Sequence, residues 1–197
     1  MPAKRKKKVE EEKIEKPEKP WYKFWPPGVR KHIDYPEVPL FEFLRDSAKK
    51  YPDKTAIIYF DRKITYKELD LLSDKFATAL VDLGVKKEDK VAIYLPNIPQ
   101  FVISYYGALK AGAIVTAISP LYREREVEHQ LNDSEAETIV VLDMLYPIVE
   151  KVWEKTKLRN VIVAGLKDYM PTFKAVLGSL LKKIPSRKVE RRANVYF

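Results

Sequence analysis

Short apolar runs alternate with helical patterns along most of this sequence, and this alternation constrains the fold more than any other feature. Each run is apolar apart from a threonine in two of them and is bounded by turn residues, as expected for strands that are buried on both faces. The runs are Val91–Leu95, Ile114–Ile118, Thr138–Leu142 and Val161–Ala164. Because a helical pattern separates each run from the next, we predict an α/β fold with a doubly wound, mainly parallel sheet and flanking helices.

The helical patterns place apolar residues three and four positions apart. Helices are predicted over Ile98–Ala111, Glu124–Leu131 and Tyr146–Thr156. An earlier helix begins with a capping-box pattern at Thr65 and Glu68, and Gly84 suits the left-handed residue that ends it. The residues before this helix predict a β-hairpin, with its strands over Ala56–Phe60 and Lys63–Tyr66. A short amphipathic helix is predicted ahead of the hairpin, over residues 40–51.

Both ends of the chain differ from its middle. Residues 1–20 are rich in charge and contain three prolines, so we predict a disordered tail. From Trp21 the sequence becomes aromatic, and residues 21–27 are predicted to be extended. We assign 21–184 to the α/β domain, with Met170–Ile184 as its last helix. Residues 185–197 form a basic segment without a terminating element, and we expect it to lead into an ATP-binding part that this chain lacks.

The net charge of +9 belongs mainly to these ends. Residues 1–19 hold eight basic side chains against five acidic ones, and residues 182–192 hold six against one. The middle is nearly neutral, so its composition does not predict a nucleic-acid-binding face. The chain has no cysteine and no apolar run long enough for a membrane span or a secretory signal. We therefore expect a cytoplasmic protein.

The sequence contains no recognisable catalytic constellation. Gly107 and Gly112 have the spacing of a phosphate-binding loop, but Ala113 and Ile114 follow where a lysine and a hydroxyl residue are required, so both glycines are interpreted as packing and capping residues. The two histidines, at positions 32 and 129, match no metal-ligand spacing, and no serine lies in a nucleophile-elbow motif. We predict no catalytic, cofactor-binding or metal-binding residue.

Several segments resemble the first conserved stretches of adenylate-forming enzymes, which include acyl-CoA synthetases. The first group is Ile64–Asp70 (ITYKELD), Ala77–Val85 (ATALVDLGV), Asp89–Ile93 (DKVAI) and Leu95–Phe101 (LPNIPQF). The second is Tyr106–Ala113 (YGALKAGA), Pro120–Tyr122 (PLY) and Glu126–Ser134 (EVEHQLNDS). The resemblance covers about residues 21–165, and the opening 21–35 looks closest to long-chain fatty-acid CoA ligases. Ser119 departs from the family, which often has asparagine there.

This resemblance implies the N-terminal portion of an AMP-forming ligase, which makes an acyl-adenylate from ATP and a carboxylate and then an acyl-CoA. The parent enzyme would use ATP, Mg²⁺ and CoA. The family's phosphate loop, its other catalytic motifs and the lysine of its mobile C-terminal domain do not occur here, so the chain alone is expected to be inactive and to bind none of these cofactors. Gly84, Asn97, Gly112 and Pro120 are expected to be turn and cap positions that support the missing loop.

The resemblance also implies that the rest of the same chain is the main partner, with fatty acid and CoA as ligands of the parent. The isolated chain is expected to fold and to expose an apolar face where that part would dock. A non-catalytic module whose basic ends bind anionic membranes or nucleic acid is the alternative. We expect no specific nucleic-acid partner, while weak membrane-surface contact and a homodimer stay open.

Overall fold

The computed structural model describes residues 19–181, 183–190 and 192–197, which form parts of two compact units, 1–37 and 38–197. The predicted disordered tail therefore lies almost entirely outside the described residues. In the first unit Pro20–Phe24 is a 3-10 helix, which corrects the predicted extended segment. Proline at the first position favours a helical start because its φ is already close to the helical value. The Tyr22 ring contacts Trp21, Trp25 and His32 edge to face.

The second unit begins with a helix and a hairpin. Helix α1 spans Phe41–Lys50, strands β1 and β2 span Thr55–Tyr59 and Arg62–Thr65, and helix α2 spans Tyr66–Asp82. The turn lies at Phe60 and Asp61, one residue earlier than predicted, and both residues have positive φ. Positive φ at both central residues is the geometry of the turn that best matches the twist of a two-residue hairpin.

The remaining elements alternate as the sequence predicts. They are β3 (Lys90–Tyr94), α3 (Pro99–Lys110), β4 (Ile114–Ala117), α4 (Glu124–Ser134), β5 (Thr138–Leu142), α5 (Tyr146–Val152), β6 (Asn160–Ala164), α6 (Thr172–Leu180) and β7 (Val195–Tyr196). Strands β3 to β7 form one parallel sheet in the order β4-β3-β5-β6-β7. This confirms the predicted α/β fold with a mainly parallel sheet and flanking helices.

Both faces of the central strands β3 and β5 are covered, which explains why these strands are mainly apolar. Alternate residues of β3 point to opposite faces: Ala92 and Tyr94 pack with the buried side chains of α4 and α5. Val91 and Ile93 pack with Leu80 at the end of α2 and with residues of α3. A smaller cluster joins α1 and the hairpin to the α2–α3 pair. The sheet therefore forms a rigid frame whose loops emerge at its two ends.

Several boundaries shift by one to three residues, and three elements near the end of the chain differ most from the predictions. Helix α5 ends at Val152 and continues as the 3-10 helix Trp153–Lys155, and α6 is shorter than the predicted 170–184. Strand β7 was not predicted; it pairs Val195 with Val161 of β6. Strand β7 has only two residues, which is too short to show a periodic pattern in the sequence. It is recognised only by its pairing with β6. Among the described residues no helix is both long enough and apolar enough to cross a bilayer.

Candidate functional site

The carboxyl ends of the parallel strands are where this fold places ligand-contacting groups. From the central strand β3 the chain winds to β4 on one side, and it then crosses to β5 on the other side. In open α/β sheets, ligands bind in the crevice outside the carboxyl ends of the strands where the winding reverses in this way. The loops that follow β3, β5 and β6 therefore define the candidate site.

Asp143 directly follows β5 and is 7% exposed. Its Oδ1 accepts a hydrogen bond from the Met144 N–H at 2.7 Å, and its Oδ2 accepts one from the Arg187 N–H at 2.9 Å. Both oxygens are thus committed to backbone N–H groups. The side chain joins the segment after α6 to the end of β5, and it acts as a structural anchor for this edge.

Gln100 lies in the first turn of α3 and is 8% exposed. Its Nε2 donates to the Gly165 carbonyl at 2.7 Å and to Asp168 Oδ2 at 3.2 Å, and the same Oδ2 accepts from the Gly165 N–H at 2.7 Å. Its Oε1 is buried and has no hydrogen-bond partner within the described residues. The side chain lines a cavity of about 250 Å³ that also contains Ser104 and Tyr169.

The sequence analysis placed Gln100 in this turn but did not predict that it is buried. The available signal was the helix itself, because a helix that is apolar nearly all round leaves no solvated face for a polar side chain. The Gln100 amide therefore requires hydrogen-bond partners inside the protein, and the loop after β6 supplies them. This network fixes the distance between the start of α3 and that loop.

Two tyrosine hydroxyls hold further loops against the sheet. Tyr94 is fully buried and donates to the Tyr122 carbonyl at 2.6 Å, and Tyr59 donates to the Leu166 carbonyl at 2.9 Å. Burial raises the pKa of both phenols, and the nearby Asp168 carboxylate adds to the rise at Tyr59. Burial also raises the pKa of the phenols at positions 106, 146 and 169.

A separate cleft lies away from these loops, along the outer side of α4 beside strand β4. It has a volume of about 800 Å³, is open to solvent, and is lined by residues that include His129, Arg125 and Asp133. Gln130 Nε2 donates to Thr116 Oγ1 and to the Ala117 carbonyl, both at 2.9 Å. The Gln130 side chain thus covers part of β4, which is an edge strand of the sheet. Covering an edge strand is a common way to protect it from pairing with another chain.

Three of the four scaffold positions behave as predicted. Gly84 and Gly112 have φ of +89° and +81° at the ends of α2 and α3, and Pro120 lies in a turn closed by the Tyr122 N–H and the Ser119 carbonyl at 3.0 Å. Asn97 also lies in a turn, which the Ile98 N–H closes on the Pro96 carbonyl at 2.8 Å, but the prediction that it caps α3 is wrong. Helix α3 has Ile98 as its N-cap and Pro99 as its first residue, and no side chain caps it. Proline suits the first position because its φ is already close to the helical value.

The glycine spacing at positions 107 and 112 does not form a phosphate-binding loop. Gly107, the first glycine of the apparent phosphate-loop spacing, lies inside α3, where an added Cβ would be 2.7 Å from Phe76 Cδ1. The predicted packing role of Gly107 is confirmed. Because this residue lies inside a helix, the two glycines do not form a loop whose N–H groups converge on a phosphate. Within the part of the chain that the structure describes, no three His, Cys, Asp or Glu side chains are grouped as metal ligands.

Comparison with known proteins identifies the family of this chain, which the geometry of the site alone does not. The family model for "AMP-binding enzyme" matches residues 44–189. A Bacillus subtilis long-chain-fatty-acid–CoA ligase is 40% identical over 168 residues, which are 84% of this chain and 30% of the relative. A Yersinia pestis protein of the same name is 37% identical over 176 residues, which are 88% of this chain and 31% of the relative.

A solved structure gives the same relationship in three dimensions. A long-chain-fatty-acid–CoA ligase from Archaeoglobus fulgidus has a TM-score of 0.64 at 32% identity, over 70% of this chain and 30% of that one. The chain thus spans just under a third of the length of these relatives. The matched residues include both segments in which the resemblance was noted, and the family model covers well over half of the sequence. This chain belongs to the AMP-binding enzyme family.

Proposed function

We propose that this chain is the N-terminal scaffold of a fatty-acid–CoA ligase, with long-chain acids as the substrate class. The observation that carries the proposal is the 40% identity over 168 residues to the Bacillus subtilis protein of that name. The parent enzyme would join a carboxylate to the α-phosphate of ATP, release pyrophosphate, and then exchange AMP for the thiol of CoA. The location we propose is cytoplasmic, which a cysteine-free sequence favours.

The contribution of this chain would be to hold loops, and it would not contact the reacting atoms. Asp143, Gln100 and Tyr94 each fix a loop at the carboxyl edge of the sheet through hydrogen bonds to the backbone. Fixed loops of this kind let a neighbouring phosphate-binding element keep its geometry without reorganising during the reaction. In this proposal ATP, Mg²⁺, CoA and the fatty acid bind to other residues of the parent enzyme.

A chimera tests the proposal. The 168 matching residues of the Bacillus subtilis ligase are replaced by those of this chain, and pyrophosphate exchange that depends on a fatty acid is measured with ATP and Mg²⁺. We expect the chimera to retain exchange with long-chain acids. The control is the same relative with the matching residues deleted, which should be inactive. A chimera that is folded by circular dichroism but shows no exchange would contradict the scaffold role.

The 197-residue chain alone should show neither exchange nor ATP binding at moderate salt, because triphosphate charge requires several converging donors and a metal. Calorimetry with ATP and the exchange assay measure this directly. Turnover by a chain purified beside an equally treated blank preparation would mean that a catalytic site lies within these residues. That result would reject the scaffold proposal even if the chimera were active.

A further inference from the structure

The orientation of the Gln100 amide leaves a buried acceptor without a partner beside a cavity. Its Nε2 is directed at two acceptors, the Gly165 carbonyl at 2.7 Å and Asp168 Oδ2 at 3.2 Å. A flipped amide would bring Oε1 against these same oxygens, so the nitrogen must lie on this side. The Oε1 atom therefore lies on the other side of the amide, where it is buried and has no hydrogen-bond partner within the described residues.

Most of the wall of the cavity that Gln100 lines is apolar, and it comes from α2, α3, β5 and β6. These apolar residues are Phe76, Ile103, Val140, Ile162, Val163 and Ala164. The lining is completed by Ser104, which lies one turn after Gln100 on α3, and by Asp168 and Tyr169. The volume is about 250 Å³, and since an apolar cavity of about 150 Å³ is enough to hold benzene in another protein, this space suits a ring with one substituent.

These groups determine which chemistry a ligand of the cavity needs. An unpaired buried acceptor is costly, and a hydrogen-bond donor brought into the cavity satisfies it. The apolar walls favour an apolar body for the rest of the molecule. A carboxylate is disfavoured, because it would lie beside the Gln100 oxygen and the negative charge of Asp168. The cavity therefore differs in chemistry from a site for the head group of a fatty acid.

We propose that this cavity binds a small, mainly apolar molecule that carries one hydrogen-bond donor, such as a phenol or an aromatic alcohol. Gln100 Oε1 accepts from that donor, and the ring of the ligand packs against the apolar walls from α2, α3, β5 and β6. This binding uses no ATP, CoA or fatty acid. It therefore goes beyond the proposed ligase function and does not depend on it.

Calorimetric titration of the 197-residue chain tests this with phenol, toluene and benzoate, which are similar in size. Toluene has a methyl group in place of the phenol hydroxyl, and benzoate carries a carboxylate. We expect saturable one-to-one binding of phenol and toluene and no binding of benzoate. Phenol should also raise the midpoint of chemical denaturation, since a ligand that binds only the folded chain stabilises it.

Two variants change different parts of the site. Gln100→Met removes the acceptor at similar side-chain length, so it should weaken phenol binding by about tenfold, because the hydroxyl is then buried without a partner, while toluene keeps its affinity. Ser104→Leu leaves the Gln100 hydrogen bonds in place and fills the cavity, so it should abolish the binding of both probes. The matched control is Ser179→Leu, which makes the same change at an exposed position of α6 and should weaken neither.

Each contrary outcome overturns a stated part of the proposal. Absence of saturable phenol binding would show that the cavity takes up ordered water only. Unchanged phenol binding in Gln100→Met, or an equal loss of phenol and toluene, would reject Oε1 as the acceptor. Circular dichroism checks that each variant is folded. If Gln100→Met does not fold, the comparison of Ser104→Leu with Ser179→Leu still decides, because equal binding by these two variants would place the ligand outside this cavity.

Discussion

Removal of the partners of Lys110 should destabilise the protein more than removal of Lys110 itself. The Lys110 side chain, at the end of α3, is 2% exposed. Its ammonium lies 2.6 Å from Asp70 Oδ1 and 2.8 Å from Asp74 Oδ1, and it donates to the Asp70 carbonyl at 3.0 Å. The two carboxylates belong to α2 and are more accessible, at 23% and 48%. The buried ammonium therefore depends on the two carboxylates more than the carboxylates depend on it.

The magnitudes follow from this asymmetry of burial. In Lys110→Met the carboxylates can turn to water, so the cost is the loss of charge-assisted hydrogen bonds, about 1–3 kcal/mol. In the double variant Asp70→Ala with Asp74→Ala the ammonium stays buried with only a backbone carbonyl, and an orphaned buried charge costs about 3–5 kcal/mol. Adding Lys110→Met to the double variant removes that charge, so the triple variant should regain about 1–2 kcal/mol relative to the double.

Chemical denaturation followed by circular dichroism measures these free energies of unfolding. The matched control is Lys151→Met, which breaks the exposed 2.7 Å pair with Glu124 and should leave the stability nearly unchanged, because water screens this pair. A triple variant less stable than the double, or a double variant no worse than Lys110→Met, would refute the argument from burial. The α2–α3 contact would then depend on packing alone.

Three further outcomes are expected. Gly107→Ala should cost about 1–3 kcal/mol in thermal or chemical unfolding, because its methyl would meet the Phe76 ring and the Ser73 carbonyl, 3.0 Å away, across the helix contact. Asp143→Ala should speed tryptic cleavage after Arg187, since it frees the N–H that holds that segment, while Asp133→Ala should not. Stability should fall as the pH rises above 10, because burial raises the folded-state pKa of five tyrosines above the unfolded value and the unfolded chain deprotonates first. A pH titration of the denaturation midpoint that stays flat from 9 to 11 would contradict this last expectation.

The fold could be predicted from the sequence wherever the local residue pattern matches the burial of the side chains. Strand β5 was predicted to the residue, since its four apolar residues and Thr138 are all buried. The capping box at Thr65 and Glu68 was predicted in both directions but is confirmed in one: the Thr65 hydroxyl accepts from the Glu68 N–H, whereas the Glu68 carboxylate accepts from Arg62 at 3.0 Å instead of returning to the cap. The reciprocal bond failed because a cation on the neighbouring strand is a stronger donor than a backbone N–H.

The candidate site was harder to predict from the sequence, because residues that contact each other there lie far apart along the chain. Asp143 and Arg187 are 44 residues apart, and Gln100 and Gly165 are 65 apart. No local period or motif marks such pairs. Only the strand order brings them to one edge, and strand order is a tertiary property that a linear pattern does not specify. The resemblance to adenylate-forming enzymes gave the class of protein, but it transferred no residue to this edge.

The hydrogen bonding at this edge restricts how an AMP-binding enzyme can use the scaffold. The Asp143 carboxylate is committed to two backbone N–H groups, and the Gln100 amide nitrogen to the loop after β6. Breaking these bonds to reach a ligand would leave buried donors unpaired, at about 1–3 kcal/mol for each group. Any phosphate-binding group must therefore be placed over this edge by residues other than these. A variant that weakens the network should lower turnover in the chimera by displacing such residues, and its KM for ATP should change before the fatty-acid preference does.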